Sequence, residues 1–249
     1  MNPLHRLLVP ILGLLAVSTH AQTFNISTGV NPAAGIEQNY TIVAAPPALS
    51  VPYAPWAFSN AAGFPVGGAA WFANNGSQAL TGYSDGTLGT SAWISGSAPV
   101  AGSGEWAPVG NYTFQVTFTL PANLSSLTSI SLYVAADNPL YDGDAVTAGI
   151  QGAKLNGTYL NVSTPQVQPF QSFSPLFTFD NSDGKFISGG TNTLQFFVEN
   201  LAGATGNPVG LRVQGQVNAI VIPEPSTYAL FLGIITLSLA ARRRFAATA

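Results

Sequence analysis

Between residues 22 and 222 the readable hydrophobic period is two. Tyr112, Phe114, Val116, Phe118 and Leu120 alternate with Thr113, Gln115, Thr117 and Thr119, as in a strand with one dry face and one wet face. Pro121 ends that run, because proline has no N–H for a ladder. Ile130, Leu132, Val134 and Ala136 repeat the pattern. So do Phe177 with Phe179, Leu194 with Phe196 and Val198, and the stretch from Val209 to Ile222 through Leu211, Val213, Gly215 and Val217. Lys154-Leu155-Asn156-Gly157-Thr158-Tyr159 puts Asn-Gly between two short strands, a tight hairpin signal because both turn residues tolerate positive φ. Gly and Pro punctuate the chain too evenly for helices, so the expectation is an all-β sandwich, a jelly roll, in one domain. Residues 22–68 are less regular and are read as early strands followed by a long crossing loop. Asn218 to Ile222 is read as a brief tether.

Two apolar segments flank this body. Leu7 to Val17 follows Arg6 and precedes Thr19-His20-Ala21, the layout of a secretory signal peptide cut between Ala21 and Gln22. At the other end, Pro223-Glu224-Pro225-Ser226 leads into the apolar run Thr227–Ala241 and then Arg242, Arg243 and Arg244. As a helix that run reaches only roughly 22 Å, against a hydrocarbon core of about 30 Å, so it spans only by thinning the bilayer. The arginines act as a cytoplasmic stop, which leaves Pro223-Glu224-Pro225 on the far side. The residues alone leave a permanent single-pass anchor and a removable one both open.

Composition narrows the chemistry of residues 22–222. Both histidines, His5 and His20, precede the cut, and the chain has no cysteine. Catalysis by Ser-His-Asp or Cys-His, His/Cys zinc sites and disulfides are all excluded from that segment. Lys154, Lys185 and Arg212 face nine acidic side chains, a net charge near −6. No basic patch can be assembled from three scattered cations, so nucleic acid is not a partner. The surface is left to hydroxyls, amides and glycine, a neutral hydrogen-bonding coat suited to a carbohydrate-rich matrix.

Two resemblances add to this. Pro223-Glu224-Pro225-Ser226-Thr227, the Leu/Ile/Gly-rich helix and the terminal arginines resemble the PEP-CTERM sorting signal (223–249). That resemblance implies a Gram-negative exported protein whose tail a membrane-embedded exosortase recognises and removes. It implies passage through signal peptidase and exosortase, transient membrane anchorage, and arrival at the cell surface or a biofilm matrix. The second resemblance covers roughly residues 90 to 217. Trp93-Ile94, Gly110-Asn111-Tyr112-Thr113-Phe114, Ala136-Asp137-Asn138 and Lys154-Leu155-Asn156-Gly157 come first. Gly190-Thr191-Asn192-Thr193-Leu194-Gln195-Phe196 and Asn207-Pro208-Val209-Gly210-Leu211-Arg212-Val213 follow. In this order they resemble the galactose-binding-like β-sandwich, with a longer acidic insertion after Asn138. The combined expectation is a signal helix at 1–21, a sandwich at 22–222 and a short transmembrane helix at 227–241.

Candidate sites are few. Asp137, Asn138, Asp142 and Asp144 offer oxygen donors for calcium, or Asx-turn and cap groups in a surface loop. Trp71 with Asn74 and Asn75 combines an aromatic face with amides, a composition suited to a sugar ring, although sandwich tryptophans usually serve packing. Glu105 and Glu199 are the long-armed acids, and nothing in sequence brings them together for glycosidase chemistry. The expectation is a non-enzyme with no obligatory cofactor, associating with exopolysaccharide or envelope glycans. A structural or adhesive matrix component without a ligand, or a secreted glycoside hydrolase, are the alternatives.

Overall fold

The computed structural model describes residues 20–29, 39–46, the backbone of 56–58, 88, 91, 93–95, 108–138, 140–141, 152–164, 173–201, 209–222, 232–240 and 243. Eleven strands are described: β1 His20–Asn25, β2 Tyr40–Ala44, β3 Trp56–Phe58, β4 Trp93–Ser95, β5 Gly110–Thr119, β6 Ser129–Ala136, β7 Ala153–Leu155, β8 Thr158–Leu160, β9 Phe177–Asp180, β10 Thr191–Asn200 and β11 Gly210–Val221. They form two antiparallel sheets. One runs β3-β4-β11-β6-β9 with β1 also on β11, and the other runs β2-β5-β10-β7-β8.

The period-two pattern is the cause of this layering. Tyr112, Phe114, Val116 and Phe118 of β5 enter one core with Leu194, Phe196 and Val198 of β10. From the facing sheet come Ile130, Leu132 and Val134 of β6 and Leu211, Val213 and Val217 of β11. Burying each such side chain contributes on the order of 2 kcal/mol, which is what clamps the sheets together. Tyr40 adds a polar cross-tie: its hydroxyl donates to the Ile26 carbonyl at 2.7 Å while its ring lies buried. The predicted Asn-Gly hairpin joins β7 to β8, with Asn156 at φ 51° and Gly157 at φ 83°. The all-β sandwich expected from the sequence is therefore the architecture found.

Two expectations fail at the ends of the body: His20 and Ala21, expected in the signal helix at 1–21, are strand and open β1, and the expected tether is absent. Asn218 to Ile222 is no tether: Asn218–Val221 completes β11, and Ile222 donates its N–H to Asn123 at 2.8 Å. Asn218 still pairs with Ser129 of β6, and β1, registered from His20↔Val221 to Asn25↔Gln216, pairs with the whole of Asn218–Val221. Beyond β1, Ile26 and Thr28 continue the ladder to Gly215 and Val213 at 3.0 Å each. β1 and β4 share the edge of β11 opposite β6, end to end.

The sandwich has two poles. One gathers the end of β5, the starts of β6 and β10, the β7–β8 turn, the end of β11 and the start of β1. The other gathers the starts of β5 and β11 and the ends of β6 and β10. A helix covers 232–240, and Arg243 is helical and exposed. Among the described residues no helix is long and apolar enough to cross a membrane.

Candidate functional site

The outer face of the second sheet carries an ordered feature. Thr41 registers with Gln115, Gln115 with Gln195, Gln195 with Lys154, and Lys154 with Tyr159. One hydroxyl, two amides, an ammonium and a phenol thus form a single row across all five strands. At about 4.8 Å between strands, the row is about 19 Å long. Each member is half-buried. The Gln195 amide donates to Gln115 Oε1 at 2.9 Å, which fixes the two central amides side by side. Lys154 Nζ sits 4.1 Å from the centroid of the Tyr159 ring, a cation–π contact that holds the ammonium along the row.

Phe197 and Tyr141 border this row towards the second pole. Tyr141 meets Phe197 edge-on at 5.7 Å, and Tyr159 lies 6.5 Å from Phe197. Phe197 also pins the acidic insertion. Its carbonyl accepts from Tyr141 N–H at 3.1 Å and its N–H donates to the Gly152 carbonyl at 3.0 Å. Both stems of the 142–151 segment therefore close on one residue of β10.

At the second pole, Asp137 follows β6. Its carboxyl is buried, and burial pushes its pKa well above the ordinary carboxylate value. The Asn138 amide donates to Asp137 Oδ2 at 3.3 Å and to Asn200 Oδ1 at 3.4 Å. Asn200 in turn donates to the Pro108 carbonyl at 3.2 Å, which also accepts from the Tyr112 hydroxyl at 2.8 Å. Asp137 N–H donates to Gly210 O at 2.9 Å, and a side chain at Gly210 would meet the Trp93 ring at 3.2 Å. The Trp93, Asp137 and Gly210 motifs, separated along the chain, thus converge here as packing. At the first pole, the Asn156 and Asn192 motifs converge in the same way, amide to amide at 2.8 Å.

Of the expected calcium donors, Asp137 and Asn138 adjoin, while Asp142 and Asp144 lie outside the described residues. Among the described residues no three His, Cys, Asp or Glu side chains cluster for a metal. Trp71, Asn74 and Asn75 also lie outside the described residues, as do Glu105, Pro223, Glu224, Pro225, Arg242 and Arg244. Ala21 and Gln22 are exposed and paired in β1 with Ile220 and Ala219. Register between distant strands sets the row, so no local pattern in the sequence marks it. The available signal was the set of outward positions, Gln115, Lys154, Tyr159, Gln195 and Phe197, which are amide, cationic or aromatic rather than acidic.

No family model matches the chain, and no curated protein matches it. Among solved structures, the CBM35 from Paenibacillus barcinonensis is similar at 12% identity with a TM-score of 0.24, over 50% of this chain and 78% of that one. A likeness of that depth carries no argument about function.

Proposed function

We propose that this chain is an exported protein whose sandwich associates with neutral polysaccharide through the Thr41–Gln115–Gln195–Lys154–Tyr159 row. The row is the observation that carries the reading. It is a polar, acid-free row of hydroxyl, amide, ammonium and phenol groups with an aromatic border. Such a strip suits an extended, uncharged chain rich in hydroxyls better than a compact small molecule, which needs a concave pocket. Export follows from the leader and tail: signal peptidase cuts after Ala21, an exosortase-type enzyme acts at Pro223-Glu224-Pro225, and the body reaches the cell surface or matrix.

The test is a pull-down of the 22–222 chain on insoluble polysaccharides, with soluble oligosaccharide as competitor. Saturable, competed binding that weakens at least about tenfold (~1.4 kcal/mol) in Gln195→Ala and Tyr159→Ala is the expected result. Absence of saturable binding makes the protein a structural matrix component instead. Glycan turnover lost on Glu105→Gln or Glu199→Gln makes it a hydrolase.

A further inference from the structure

We propose that, while the C-terminal apolar segment is inserted, the sandwich stands upright on the membrane. The pole carrying Leu127, Ile187 and Ile222 then lies against the lipid interface. The proposal rests on reading the tail as a membrane segment; the orientation comes from the fold.

The first observation is where the chain leaves the body. His20 and Val221 are registered partners on adjacent strands, so the leader and the tail depart from one pole, side by side. The second is the missing spacer. Ile222 is still bonded to Asn123, and only Pro223 to Ser226 separate it from Thr227. Five residue steps reach at most about 18 Å. The headgroup layer takes up roughly 5–7 Å of that reach. β11 spans 12 residues, so the body is about 40 Å long and cannot turn its far pole to the lipid on so short a leash.

The third observation is the chemistry of that pole. Its loops interlock: Ser125 N–H donates to Ile220 O at 2.7 Å, Gly189 N–H to Pro121 O at 2.9 Å, and Leu124 N–H to the Ser188 hydroxyl at 3.3 Å. From this rigid platform Leu127, Ile187 and Ile222 are 69%, 47% and 50% exposed. Val109 and Leu201 are comparably exposed at the opposite pole, so exposure alone does not choose between the poles; the chain exits do. Among the described residues the charged groups of the platform are Asp180, Asp183 and Lys185, with Lys185 paired to Asp183. The platform gains nothing from anionic lipid, and zwitterionic headgroups are the partner it fits. Held this way, the strands stand along the membrane normal and the polar row runs parallel to the membrane, accessible from the medium.

The chain has no cysteine, which makes single-cysteine labelling clean. Leu127→Cys, Ile187→Cys and Val109→Cys, each carrying an environment-sensitive fluorophore, are reconstituted as full-length chain into phosphatidylcholine vesicles. Vesicles with and without a headgroup nitroxide quencher are compared, on floated material only. The expected result is a blue shift and quenching at 127 and 187, little of either at 109, and no loss on adding salt. Equal behaviour at all three positions in floated protein overturns the orientation alone. Failure to float overturns the orientation together with the reading of the tail. Polysaccharide binding by the soluble 22–222 chain is untouched by either result.

Discussion

Asn192 is the residue whose replacement tests the packing argument most sharply. It is fully buried at the start of β10. Its Oδ1 accepts from Ile187 N–H and Asn156 Nδ2, both at 2.8 Å, and its Nδ2 donates to Ile187 O at 3.0 Å and Gly190 O at 3.2 Å. In Asn192→Leu, Gly190 O keeps Leu120 N–H and Asn156 keeps Lys185 O, so the Ile187 N–H and C=O are the groups deprived. Two such groups cost about 1–3 kcal/mol each, and burying the leucine methyls offsets about 1 kcal/mol. A net loss near ~3 kcal/mol lowers Tm by roughly 6–12 °C in a body of this size. Urea unfolding of the 22–222 chain should show a lower midpoint with unchanged slope. Asn192→Asp keeps the shape and the acceptor but cannot donate while ionised, so it should regain stability on acidification. A leucine variant within about 0.5 kcal/mol of the parent would mean that water supplies what Asn192 is held to supply.

Gly152→Ala would drive a Cβ into Leu140 Cβ and set it 2.8 Å from Val162 O. It should cost about 1–3 kcal/mol by overpacking and raise proteolysis between Tyr141 and Gly152; an unchanged urea midpoint contradicts this. Asp137 has a raised folded pKa, so the unfolded chain releases its proton first. Parent stability from this group is then complete in acid and declines as pH rises from about 4. Asp137→Asn removes that decline, and its Tm advantage should grow with pH, while parallel Tm profiles count against the buried acid. Calcium at Asp137, Asn138, Asp142 and Asp144 predicts a Tm rise with added calcium that Asp137→Asn abolishes, and no rise removes that site. Removing His20 and Ala21 deletes two exposed pairs from β1, so the 22–222 and 20–222 chains should match within about 1 kcal/mol.

The sequence disclosed what depends on local pattern. Alternation located β5, β6, β10 and most of β11, and Asn156-Gly157 located a hairpin. What depends on register stayed hidden. Asn218 looked like linker because its strand partners, Thr23 and Ser129, are both distant in sequence; the Thr23 hydroxyl also donates to Asn218 Oδ1 at 3.2 Å. The row from Thr41 to Tyr159 joins five strands, and no local pattern specifies which outward positions align. The two motif clusters turned out to be structural: Asn156 with Asn192 ties loops together, and Trp93, Asp137 and Gly210 close the far pole. Burial of Asp137 was equally hidden, since an acid in a loop after a strand reads as solvated.

The proposed export requires the sandwich of residues 22–222 to work without either apolar segment. Intact-mass measurement on the protein recovered from the medium, the cell surface and the cell interior of its native host decides this. A species that begins at Gln22 and ends between Ile222 and Thr227 is the predicted result. A full-length 249-residue chain, recovered from the cell interior with both ends intact, would contradict it.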